Sequence, residues 1–173
     1  MAPSSRCSPK KMEKGYRNQL TRQIGEHLVV AKLGRMGIMA TPFAGNVPDY
    51  DLLASDHSGH SMPIQVKAIN GPSWQFSAKS FLNIKLTGKK QIVEGKKILR
   101  NRKLVCVLVF LRPDERDDFY ILTLAHLQNH FHKNYPGGVR SKNPYSFHCA
   151  IKPEHLKAHR NKWELITCYF DPI

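Results

Sequence analysis

Asp51, Gln65 and Lys67 are the residues whose types and spacing best suit them to chemistry. Asp51 lies in Pro48-Asp49-Tyr50-Asp51-Leu52-Leu53-Ala54, and the other two lie in Ile64-Gln65-Val66-Lys67-Ala68. Both stretches read as strands of mixed polarity. Side chains alternate along a strand, so Asp49 and Asp51 share one face, and Gln65 and Lys67 share another. The polar run from Asp56 to Ser61 between them reads as a hairpin turn. Pairing as a hairpin brings an acid, an amide and a lysine to one spot. A divalent ion on carboxylate and amide oxygens polarises a phosphate and lowers the pKa of an attacking water. A neighbouring ammonium group then stabilises the developing charge or positions that water. Asp51 offers a hard oxygen, Gln65 a neutral one and the Val66 backbone carbonyl a third, with Lys67 as the cation. Mg²⁺ suits such a set because it takes few protein oxygens and keeps waters; Mn²⁺ is the natural substitute.

The elements that must hold these residues follow from periodicity. A basic, Pro- and Ser-containing segment over residues 1–15 reads as a disordered tail. Residues 16–35 predict a helix whose apolar stripe is Leu20, Ile24, Leu28 and Ala31, ended by Gly34 and Gly37. Residues 38–43 predict a strand, followed by a turn at Gly45-Asn46. Trp74–Phe76 and 81–86 predict a short strand pair, and Trp74 is expected in the core. Residues 87–102 are so basic that helix and long loop both remain open. The apolar run 104–111 predicts a strand buried on both faces, with 118–123 as its neighbour. A helix over 124–133, an edge strand near 145–151, a short helix over 153–161 and a last apolar stretch over 163–170 complete the reading. This order implies an α/β or α+β domain around a mixed central sheet, occupying residues 16–173 as one unit.

Charge narrows the partner. Across 173 residues, 27 Lys and Arg outnumber 13 Asp and Glu, a net charge of +14. That excess favours a polyanion, most often nucleic acid. One basic cluster lies at the N-terminus, from Arg6 to Arg22. The other comprises Lys85, Lys89, Lys90, Lys96, Lys97, Arg100, Arg102 and Lys103, the candidate phosphate-contacting set. The N-terminus has no apolar segment of a secretory signal, and no apolar run is long enough to span a bilayer. No CxxC pair occurs among the four cysteines, so reduced thiols and a cytoplasmic location are expected. His126 and His130 share a helical face with His132 nearby. No cysteine or acid is spaced to complete a zinc site, so none is expected.

The combination of Asp51 with Gln65-Val66-Lys67 resembles the PD-(D/E)xK superfamily, the restriction-endonuclease-like fold, and within it a branch whose triplet begins with Gln. Gly25-Glu26-His27-Leu28 resembles the first helix of that superfamily, whose glutamate often joins the metal site. The resemblance implies a Mg²⁺-dependent endonuclease acting on DNA, branched or otherwise structured DNA included. It assigns Glu26, Asp51, Gln65 and Val66 to the metal and Glu26, Asp51, Gln65 and Lys67 to catalysis. It also implies pairing of two copies. Two departures stand out. Gln65 replaces the usual acid, removing a negative charge, and Asp49, which directly follows a proline, competes with the favoured Asp51 as the motif aspartate. An alternative reading is a catalytically weak or inactive nucleic-acid-binding module on the same fold.

Overall fold

The structure, a computed structural model, describes residues 13–43, 49–139 and 143–170. The run Val105-Cys106-Val107-Leu108-Val109 is at its centre, and all five residues are buried. Alternation sends the three valines to one face and Cys106 and Leu108 to the other. Such a strand needs cover on both sides, and the rest of the chain supplies it.

In chain order the elements are α1 (Lys14–Gly34), β1 (Met39–Pro42), β2 (Leu52–Ser55), β3 (Ser61–Ile69), β4 (Trp74–Ser77), β5 (Leu82–Thr87), β6 (Lys90–Lys96), β7 (Val105–Phe110), β8 (Asp118–Thr123), α2 (Leu124–Asn134), β9 (Gly138–Val139), β10 (His148–Ile151) and α3 (Glu164–Phe170), with 3-10 segments at Ala78–Ser80 and Pro153–His159. The central sheet runs β1-β2-β3-β7-β8. β3 and β7 are parallel, with Gln65 opposite Cys106 and Lys67 opposite Leu108; the other pairs in this sheet are antiparallel. The fold is α/β, a mixed central sheet flanked by helices.

On one face the β7 valines pack with Val29 and Leu33 of α1, Ile64 and Val66 of β3, and Ile166 and Phe170 of α3. On the other, Cys106 and Leu108 pack with Trp74, Phe76, Leu127, Phe131 and Ile151. Each fully buried aliphatic side chain contributes about 1.5–3 kcal/mol relative to an exposed one. Buried Asp118 accepts from the Nε atoms of both Arg112 and Arg160 at 2.8 Å, tying the segment after Pro153–His159 to β8.

Several sequence expectations are corrected. The inward face of α1 is Thr21, Gly25, Val29 and Leu33. Ile24 of the expected stripe is 46% exposed, and Ala31 is exposed as well. The helix is turned so that Gly25 meets the sheet, because a residue without a side chain permits the closest approach there. The helix also starts at Lys14, within the expected tail; residues 1–12 of that tail and the Gly45-Asn46 turn lie outside the described residues. β4 and β5 do not pair with each other. β4 pairs with β10, and β5 with β6, which also takes β9. Residues 90–96, left between helix and loop, form strand β6: Gln91, Val93 and Gly95 face inward while Lys90, Ile92, Glu94 and Lys96 face out. The expected edge strand is only His148–Ile151, and the expected helix at 153–161 is the 3-10 segment.

Candidate functional site

The site forms where β2 leaves β3. Leu52 is opposite Ile64, and the Asp51 N–H donates to the Ile64 carbonyl at 2.9 Å. Beyond that rung β2 offers β3 no further partner. The next N–H on that edge, of Val66, donates instead to Asp51 Oδ2 at 2.8 Å. A buried or half-buried amide needs an acceptor, and a carboxylate satisfies it while being fixed in orientation. Asp51 precedes the strand rather than lying within it. Asp49 adopts φ 76°, which ends the extended alternation, and it stands exposed at the rim. The shared face expected for the two aspartates therefore does not follow from strand geometry.

Asp49, Asp51, Gln65, Val66 and Lys67 line one cavity of about 470 Å³, together with Arg22 and Gln75. Gln65 Oε1 faces Cys106 Sγ at 3.7 Å. Lys67 Nζ lies 5.3 Å from the centre of the Phe76 ring, and Trp74, in the core as expected, donates from Nε1 to the Lys67 carbonyl at 2.9 Å. Burial pushes the Cys106 thiol up to about 12, against the pull of the Lys67 charge, so it is a packing residue and not a nucleophile.

Glu26 comes to the site from the opposite element. An ideal Cβ on Gly25 would stand 2.4 Å from the Ala68 Cβ, so α1 approaches β3 more closely than any other residue type allows. The next residue, Glu26, is thereby brought within reach of Asp51 through Arg22. Arg22 Nε donates to Glu26 Oε1 and its Nη2 to Asp51 Oδ1, both at 2.8 Å. The two carboxylate side chains are 12% and 14% exposed, and Arg22 is 56% exposed. The hydrogen bond to Glu26, reinforced by the charges of Asp51 and Glu26, raises the Arg22 pKa against the opposing effect of partial burial. Sequence reading counted Arg22 only as one more basic residue. Its i, i+4 spacing to Glu26 was the available signal; its reach to Asp51 was not.

Among the described residues no group of three or more His, Cys, Asp and Glu side chains is arranged to hold a metal. The oxygen donors at the site are Glu26, Asp51 and Gln65, two carboxylates and one amide. This hard set fits an ion that accepts few protein ligands and retains water. The Val66 contribution visible here is its N–H. His126 completes a capping box with Thr123 and faces the His159 ring, His130 faces His155, and His132 is exposed.

A larger cleft of about 830 Å³ adjoins the site and shares Asp49, Gln65, Lys67 and Gln75 with it. Of the eight candidate phosphate contacts, Lys97 and Arg100 line this cleft, flanking Ile98, which is 94% exposed. Lys96 donates to Asn129 at 2.8 Å. Lys85, Lys89 and Lys90 are exposed on the β5–β6 hairpin, and Arg102 and Lys103 are exposed just before β7. Gln128, fully buried on α2, donates to the carbonyls of Phe81 and Lys97, pinning the start of the basic loop. No helix among the described residues is long and apolar enough to cross a membrane.

The parallel pair of the mixed sheet thus carries Gln65 and Lys67 at its splayed edge, beside the cleft lined by Lys97 and Arg100. The chain is similar to the solved structure of a bacterial homing endonuclease, I-Ssp6803I, with a TM-score of 0.50 and 15% identity, over 89% of this chain and 95% of that one. The likeness is one of fold. No family model matches the sequence, and no curated protein does.

Proposed function

We propose that this chain is a divalent-metal-dependent endonuclease that hydrolyses phosphodiester bonds in DNA, on a PD-(D/E)xK-type core with a QxK triplet. The observation supporting the reading is the shared cavity of Asp51, Gln65 and Lys67, with Glu26 linked to it through Arg22. Glu26, Asp51 and Gln65 would hold the ion. When bound, Mg²⁺ or Mn²⁺ supplies Lewis-acid polarisation of the phosphate and a more acidic water. Lys67 has no acid paired to it among the described residues, and its ammonium group is available to the scissile phosphate or the water. Lys97 and Arg100 contact the flanking backbone, a contact that positions without reading sequence. The fold shared with an endonuclease adds support at the level of architecture.

Gln65 and the guanidinium lodged between the two acids favour a second reading, a module that binds nucleic acid with little cleavage. The deciding assay incubates the protein with linear, nicked and four-way DNA, and with RNA, in Mg²⁺, Mn²⁺ or EDTA. Metal-dependent cutting of DNA that Asp51→Ala and Lys67→Ala abolish is the expected result. Salt-sensitive binding without cutting selects the second reading. Cutting that survives both substitutions means the site lies elsewhere. Sedimentation with and without DNA tests whether two copies pair on the substrate.

A further inference from the structure

Among the described residues, Arg22 is the only side chain hydrogen-bonded to both acids of the site. It donates through different nitrogens, Nε to Glu26 Oε1 and Nη2 to Asp51 Oδ1, each at 2.8 Å. A guanidinium commonly grips one carboxylate with two parallel bonds; here it spans two. The acids it spans are largely withdrawn from water, and Arg22 itself is more than half exposed on a long stem. Lys67, the other nearby cation, lies against the Phe76 ring instead. Two half-buried carboxylates facing one another repel, and the guanidinium between them is what neutralises them.

We propose that Arg22 is a stand-in cation: a divalent ion and the Arg22 side chain compete for Glu26 Oε1 and Asp51 Oδ1, and a phosphate group entering the cavity releases the acids by taking Arg22. This rests on the metal-site reading above. Arginine does not lose its charge at any physiological pH, so only a competing partner can free the acids. A phosphodiester oxygen pair matches its fork and can take both nitrogens at once. Arg22 lines the same cavity as Lys67, so a backbone phosphate entering that cavity has both cations on its walls. Phosphate binding and divalent-ion binding are therefore coupled, and the coupling is reciprocal. The free protein holds metal weakly. The nucleic-acid complex holds it well. Arg22 in this role is a positioning residue, and its effect is read in metal affinity rather than in turnover.

Direct calorimetric titration with Ca²⁺ tests this, with and without a duplex oligonucleotide, on the wild type, Arg22→Ala, Arg22→Lys, Asp51→Asn and Arg17→Ala. The last removes the same charge from an exposed position on the same helix. Arg22→Ala is expected to bind Ca²⁺ roughly tenfold more tightly than wild type without DNA, within the usual range of coupling between sites. Duplex DNA is expected to tighten Ca²⁺ binding to wild type by a similar factor and to leave Arg22→Ala nearly unchanged, with Arg22→Lys intermediate. A merely structural Arg22 would lower the melting temperature of the alanine variant without tightening Ca²⁺ binding, and that result overturns the proposal. Equal tightening by Arg17→Ala also overturns it, by reducing the effect to net charge. If neither wild type with duplex DNA nor Arg22→Ala binds Ca²⁺, or Asp51→Asn binds it as well as wild type, the metal-site reading itself has failed and this inference falls with it.

Discussion

Substituting Gly25 by alanine tests the link between helix packing and the site. The added Cβ would lie 2.4 Å from the Ala68 Cβ, far inside contact distance, and both atoms are attached directly to backbone. No rotamer change relieves such a clash, so α1 must shift outward from β3. Overpacking of this kind costs about 1–3 kcal/mol. Alanine returns about 1 kcal/mol in helix propensity. The net loss is then about 2 kcal/mol at the upper end, or roughly 4–8 °C in melting temperature for a chain of this size. The compensating change is Ala68→Gly, which removes the Ala68 Cβ; the remaining neighbours, Ala68 Cα at 3.6 Å and Val109 Cβ at 3.8 Å, are ordinary contacts. The double variant is expected to recover most of the stability, with a favourable coupling in a double-mutant cycle by chemical denaturation. Activity carries a second readout. Displacing Glu26 and Arg22 by about 1 Å would lower the turnover of the proposed nuclease by about a hundredfold, and the double variant should restore it. Gly25→Ala as stable as wild type, with no coupling to Ala68→Gly, would refute the reasoning that a bare helix backbone seats Glu26.

Removing Lys97 and Arg100 together is expected to weaken DNA binding at low salt and reduce the slope of log K against log salt by about 1.8, near 0.9 per lost phosphate contact; anisotropy titrations over a salt series read this directly. Trp74→Phe deletes the indole N–H that serves the Lys67 carbonyl. It is expected to cost about 1–3 kcal/mol in denaturant melts for the orphaned acceptor, and activity should fall more than stability alone explains, because β3 loosens beside Lys67. The His130 and His159 pKa values are lowered, first by burial and then by His155 and His126 respectively. The unfolded chain takes up protons near the ordinary histidine value of about 6.5 while the folded imidazoles resist. Their contribution is therefore full above that pH and is lost as pH falls toward the folded values. Melting temperature should decline from pH 7 to 5, and His130→Asn with His159→Asn should flatten that decline.

What the sequence made legible was what periodicity and residue type encode. The run around Val107 announced a strand covered on both faces, and the alternation along β3 told buried Ile64 and Val66 from half-buried Gln65 and Lys67. The inward face of α1 was missed because its contact residues are Thr21 and Gly25, which no apolar pattern selects. β6 was missed because its inward positions include Gln91, a polar residue that is buried. It donates to the Pro144 and Ser146 carbonyls and accepts from the Tyr135 hydroxyl. The partner of β4 is β10, more than seventy residues on, with Phe76 opposite Cys149; nothing local in either strand names the other. Arg22 was hidden for the same reason, since its bond to Asp51 crosses 29 positions of chain.

The Val66 amide gives the Asp51 carboxylate a fixed bearing before anything arrives. Rotating that group away would strand a backbone donor, so the carboxylate keeps this orientation. For the proposed metal site, the cost of orienting this ligand is met during folding. Glutamate in place of Asp51 would carry the same charge on a longer stem and would have to choose between the peptide N–H and the cavity. Conserving charge at this position is therefore not enough; side-chain length is part of the design.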